Sequence, residues 1–212
     1  PLESLPRPES LALLRALAPH LADAPDAGLH SLAQRLGDLP LGLQLAGSYL
    51  RVSKLNPKQY LDRLKEQGGD LAKLALPARL QANPLRRELD LWRSFGLSWS
   101  QLQADDPSDA LARRVFLACG YCASNAAIPP GLLQKAVDCE ESDLQVSLES
   151  LYGLSLLQRA GDGPAAHPLL AEYARGLDRQ AEPGALAALA QALMALAREA
   201  NRTGKPQDFL PL

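Results

Sequence analysis

Cys119-Gly120-Tyr121-Cys122 has the C-x-x-C spacing of a redox dithiol or of half a zinc site. A redox pair follows a strand in a βαβ unit, and no strand pattern precedes this one. Zinc needs two further ligands. Cys139 and His167 are available, but the gaps of 16 and 27 residues match no common zinc spacing. The cysteines therefore read as buried helix residues. Asp105-Asp106 resembles an acidic pair that holds Mg²⁺, yet it lacks the apolar strand that presents such a pair, and it reads as a solvated loop. A phosphate cradle of the form G-x-x-x-x-G-K-[ST] is absent; Gly204-Lys205-Pro206 imitates its end, but Pro206 blocks the helix start the cradle requires. His20, His30 and His167 are scattered, and no Ser or Cys stands in the glycine-flanked turn of a hydrolase nucleophile. These residues supply no catalytic group and no metal site.

The elements around them are helical. The 212 residues include 46 Leu and 34 Ala against four Val and one Ile. Leu and Ala favour helices and β-branched residues favour strands, so a parallel-sheet enzyme is excluded. A chain of this length buries about 70% of its unfolded surface, so it needs neither disulfides nor a metal to fold. Three cysteines form no disulfide framework and point to a reducing cytoplasm. No apolar run reaches the ~18 residues of a membrane span. The N-terminus lacks a signal-peptide pattern, and a start at Pro1 without Met is expected of a piece of a larger protein. With 22 basic and 24 acidic residues, the net charge of -2 gives no general reason to expect nucleic acid or a membrane as partner.

Periodicity predicts a helix over Ser10–Leu21, another over His30–Leu36, and a third from Pro40 to about Val52. Gly37 is expected to end the second helix in a left-handed conformation, and Pro40 to open the third. Asn56-Pro57 caps a fourth helix that ends at Gly68-Gly69. After Pro84, a helix carries Leu89, Trp92, Phe95 and Trp99, and the polar stretch Gln103–Ser108 marks a boundary. Beyond it come helices over Ala110–Tyr121, from Pro129-Pro130 to Val137, and from Ser142 as cap. A hairpin turns at Gly161-Asp162-Gly163 and returns over Pro164–His167. A helix over Leu169–Leu177 and a long Ala/Leu helix from Glu182-Pro183 follow. Helix–helix–helix–hairpin is the winged-helix order. The third of these helices holds Asp143 and Glu149 and no basic residue, with Glu140 and Glu141 just before it, which disfavours DNA as its ligand.

Four segments resemble, in order, the C-terminal half of the nucleotide-binding module of STAND-type ATPases, the NB-ARC family. LGDLPLGLQLAGSYL (Leu36–Leu50) resembles the GLPL motif and its helix. LWRSFGLSWSQL (Leu91–Leu102) resembles the helix that joins the ARC helical subdomain to the winged helix. ARRVFLACGYCASNAAIPPGLL (Ala112–Leu133) resembles the entry to the winged helix, and LESLYGLSLLQRAGDGPAAHPLLAEYAR (Leu148–Arg175) its wing and histidine motif. Two of the motifs depart from the family pattern. Asp38 stands at the first glycine of GLPL, and Ala166-His167-Pro168 stands where Met-His-Asp is frequent.

The resemblance implies a mainly α chain of three parts. An ARC helical bundle over 1–84 is followed by a winged-helix subdomain over 85–178 that includes a linking helix, 85–102, and one short β-hairpin. The start of a TPR-like helical region occupies 179–212. It further implies that Pro40 packs on the adenine of bound nucleotide, flanked by Leu39 and Leu41, and that His167 bonds the β-phosphate of ADP. The fragment itself is then expected to be no enzyme and to bind nucleotide weakly or not at all when alone. The parent would be an ATPase using ADP/ATP with Mg²⁺, with an upstream P-loop domain in cis, downstream TPR-like repeats, and homo-oligomers on activation. Exchange of ADP for ATP would move the winged helix and free the oligomerising surface. A winged-helix DNA-binding regulator and a helical protein-interaction scaffold are the rival readings.

Overall fold

A computed structural model of the chain describes residues 4–66, 86–180 and 184–203. The expected features at Gly68-Gly69, Pro84, Glu182-Pro183 and Gly204-Lys205-Pro206 lie outside the described residues. Ten α-helices and one antiparallel two-stranded hairpin are found among the described residues, so the protein is mainly α. Two compact units divide it: Pro1–Gln101 with Gly153–Ser155, and Leu102–Tyr152 with Leu156–Leu212.

The first unit holds α1 (Arg7–Leu17), α2 (Asp26–Arg35), α3 (Pro40–Ser53), α4 (Pro57–Glu66) and α5 (Arg86–Trp99). Leu14, Leu29, Leu32, Leu43, Tyr49 and Tyr60 sit in one buried cluster, with the two tyrosine rings edge to face at 5.5 Å. The helix expected over Ser10–Leu21 begins earlier and stops earlier. Pro8 fits the first turn, so α1 starts at Arg7. Ala18 precedes Pro19, which drives it out of the helical region to φ -126°, and a short 3-10 turn, Pro19–Leu21, follows. Asn56 and Gln59 cap α4 reciprocally, each side chain accepting from the other's backbone N–H at 2.9 Å. Helix α5, read from the sequence as the link grouped with the winged helix, packs inside this first unit.

The second unit runs α6 (Pro107–Cys119), α7 (Pro130–Val137), α8 (Glu141–Gly153), β1 (Gln158–Ala160), β2 (Gly163–Ala165), α9 (Pro168–Gln180) and α10 (Ala185–Thr203). This is three helices and a hairpin in winged-helix order, followed by two more helices. In the hairpin Gln158 pairs with Ala165 and Ala160 with Gly163. Gly161 takes φ +49° at the turn. Gly163 is required by contact: a Cβ there would lie 2.1 Å from the Ile128 carbonyl oxygen, because the loop after α6 runs against β2. Ser142 does not cap α8. The Leu144 N–H donates to the Glu140 carbonyl, so the helix begins at Glu141 and Ser142 lies within its first turn. No helix among the described residues is long and apolar enough to cross a membrane.

Candidate functional site

Pro40 is the first residue of α3, where its missing N–H costs nothing and its fixed φ suits a helix start. The approach to it is a tight reversal. Gly37 and Asp38 both have positive φ, 66° and 55°. The Asp38 N–H donates to Ala33 and the Gly37 N–H to Gln34, which closes the end of α2 in a Schellman arrangement. Asp38 is held there by a fork: Arg7 Nε donates to Oδ1 at 2.8 Å and Nη2 to Oδ2 at 2.7 Å. Burial works to raise the Asp38 carboxyl, but hydrogen bonds from Arg7 and Ser10, with the nearby positive charge, together outweigh it and keep the pKa below the usual carboxylate range. The two leucines beside Pro40 turn inward: Leu39 is 5% and Leu41 7% exposed, whereas Pro40 is half-buried. No side chain caps α3, and no acid stands in its first turn.

His167 opens α9 in the second unit. Its carbonyl accepts the first helical bond, from Ala171 N–H at 2.9 Å, and its ring Nδ1 accepts from Leu169 N–H at 3.2 Å. An accepting Nδ1 assigns the proton of the neutral ring to Nε2. Burial lowers the His167 pKa from its ordinary 6.5, so at neutral pH the ring is uncharged and Nε2–H is its donor. The preceding strap is fixed, since Asn125 N–H donates to the Ala166 carbonyl and Ile128 N–H to that of Pro164. Pro168 is the first residue of α9.

Leu39, Pro40 and Leu41 thus gather at one helix start in the first unit, and His167 stands at another in the second. The remaining candidates have structural duties. Cys119 is the buried last residue of α6 and Cys122 is half-buried beyond it. Burial raises both thiols, that of Cys122 to about 11, away from the reactive thiolate. No group of metal-binding side chains occurs among the described residues. Asp106, read from the sequence as part of a loop, caps α6 by accepting from Ser108 and Asp109 N–H. Asp106-Pro107 is a cap-then-proline signal, and it was legible. Arg7 as the partner of Asp38 carried no local signal, because 31 residues separate them.

No protein-family model matches this chain, and no curated protein sequence matches it significantly.

Proposed function

We propose that the chain is the lid of a STAND-type signalling ATPase of the NB-ARC class: an ARC helical part and a winged helix that close over ADP held by an upstream P-loop domain. The observation that carries this reading is the state of His167. A ring whose Nδ1 is committed to its own helix, and whose pKa burial has lowered, offers one neutral N–H donor at Nε2. Such a donor suits a phosphate oxygen. The half-buried Pro40 ring offers rigid apolar surface for a base, while Leu39 and Leu41 back it from inside. The P-loop domain and Mg²⁺ supply the phosphate chemistry when present; this chain's residues bind and orient.

The switch works through unequal affinity for the two shapes, since equal binding shifts nothing. One hydrogen bond from His167 to a charged phosphate contributes about 1.5–3 kcal/mol to the ADP-bound shape. Release of that bond on ATP exchange frees the second unit for homo-oligomer formation. TPR-like repeats downstream and a cytoplasmic setting belong to the same proposal. A DNA-binding role is disfavoured by charge placement. Glu141, Asp143 and Glu149 lie exposed on α8, and Arg159 is tied to Glu149 and stacked 4.2 Å over the Tyr152 ring. Arg113 and Arg114 donate to the carbonyls of Leu102 and Val137.

In the purified parent protein, His167→Ala is expected to weaken ADP retention about ten- to hundredfold and to raise basal activity. Unchanged ADP occupancy, read by chromatography of released nucleotide, overturns the reading. Micromolar ATP binding by the isolated chain in calorimetry would contradict the assignment of the phosphate cradle to another domain.

A further inference from the structure

We infer that α8, the third helix of the winged-helix order, carries a docking pocket for the side chain of an arginine on a protein partner. A cavity of about 260 Å³ is lined by Pro107, Ser108 and Leu111 of α6 and by Asp143, Val146 and Ser147 of α8. That is below the roughly 300–1,000 Å³ of sites for drug-sized ligands, and it suits a single side chain. Asp143, Val146 and Ser147 share one face of α8 at i, i+3 and i+4.

Ser147 is the telling residue. It is 1% exposed, and its buried hydroxyl has no hydrogen-bond partner. A buried hydroxyl without a partner is costly to leave so, and this one turns about χ1 to accept from an incoming N–H. One turn away, the exposed Asp143 carboxylate accepts only, and no ion pair engages it among the described residues. Leu111, Pro107 and the 56% exposed Val146 add apolar wall for a methylene stem. An acceptor carboxylate, an acceptor hydroxyl and an apolar wall together fit a cation on an alkyl chain. The planar fork of arginine places one N–H on each acceptor, which the point charge of lysine does less well. The neighbouring acids Asp105, Glu140 and Glu141 favour the same sign of partner. This inference is independent of the nucleotide reading.

The test uses the full 212-residue chain, ¹⁵N-labelled, and the blocked pentapeptide acetyl-Gly-Gly-Arg-Gly-Gly-amide followed by NMR. Saturable shifts at the amides of Leu111, Val146 and Ser147 are expected. The citrulline analogue, of nearly equal shape and no charge, should lose them. Asp143→Asn and Val146→Lys should each weaken binding about tenfold. Val146 is exposed, so its variant reports on docking and not on folding. Ser147→Ala should weaken binding several-fold while its thermal midpoint holds or rises. Equal binding of the citrulline peptide, unchanged affinity in Ser147→Ala, no shifts at millimolar peptide, or non-saturating shifts spread over 105–109 and 140–143 each overturn the inference.

Discussion

Among the described residues each unit buries one aspartate, and the two are held by different physics. In the first, Asp90 of α5 is fully buried between two guanidiniums: Arg35 approaches Oδ1 at 3.0 Å and Oδ2 at 2.5 Å, and Arg93 donates to Oδ1 at 2.8 Å. In the second, Asp178 of α9 is 2% exposed, and its hydrogen bonds among the described residues come from neutral donors. The Tyr121 hydroxyl donates to Oδ2 at 2.7 Å, and the Gly184 and Ala185 N–H groups donate to Oδ1 at 3.3 Å. Those two N–H groups begin α10, so Asp178 caps that helix from the neighbouring one and meets the positive end of its dipole. Burial first, then the adjoining carboxylate, pushes the Tyr121 hydroxyl up to about 12, so it stays a donor throughout the working range. Counter-charge ties elements together strongly but leaves charges stranded if one member goes. Neutral donors do the same job with less at stake.

The comparison sets an order of effects. Asp90→Ala strands two guanidiniums in the first unit and should cost about 3–5 kcal/mol in urea unfolding. Asp178→Ala removes bonds to neutral donors only and should cost about 1.5–3 kcal/mol, with Tyr121→Phe nearer ~1 kcal/mol. Equal costs for the two aspartates would erase the distinction. The smallest effect belongs to His167. Its folded pKa lies below the ordinary 6.5, so between those values the unfolded chain binds the extra proton. Stability should therefore be constant above about pH 7 and fall as pH drops through the window below 6.5. His167→Asn keeps a capping side chain and should lose that part of the slope, read from unfolding midpoints across pH. A slope that persists unchanged would show that the ring is not shielded.

The local signals were legible because each is satisfied within a few residues. Proline stands first in α3, α4, α6, α7 and α9, directly after the capping residues Leu39, Asn56, Asp106, Pro129 and His167. Gly37 ends α2 with positive φ, as its place before Asp38-Leu39-Pro40 suggested. Where helix ends differ from the periodic pattern, a local competition decides them. Pro19 broke a helix that periodicity alone would have carried on to Leu21, and Glu140 took the first bond of a helix whose favoured cap type, Ser142, came two residues later. Of the site, the helix start at Pro40 is readable from the sequence; His167, expected at the end of the return strand, instead lies past β2, which stops at Ala165, and opens α9, and neither the inward turn of Leu39 and Leu41 nor the committed Nδ1 carries a local signal.

Composition, proline placement and apolar period determined that this protein is helical and that a hairpin follows three helices, but only some of the helix starts: those expected at Ser10, His30 and Ala110 fall at Arg7, Asp26 and Pro107. Only the tertiary structure decided which residue Asp38, Asp90 and Asp178 would meet, since Arg7, Arg35 and Tyr121 lie 31, 55 and 57 residues away in the chain. A helix cap is a matter of a few adjacent dihedrals. The partner of a buried charge depends on where whole helices are brought together, and no short window of sequence holds that information.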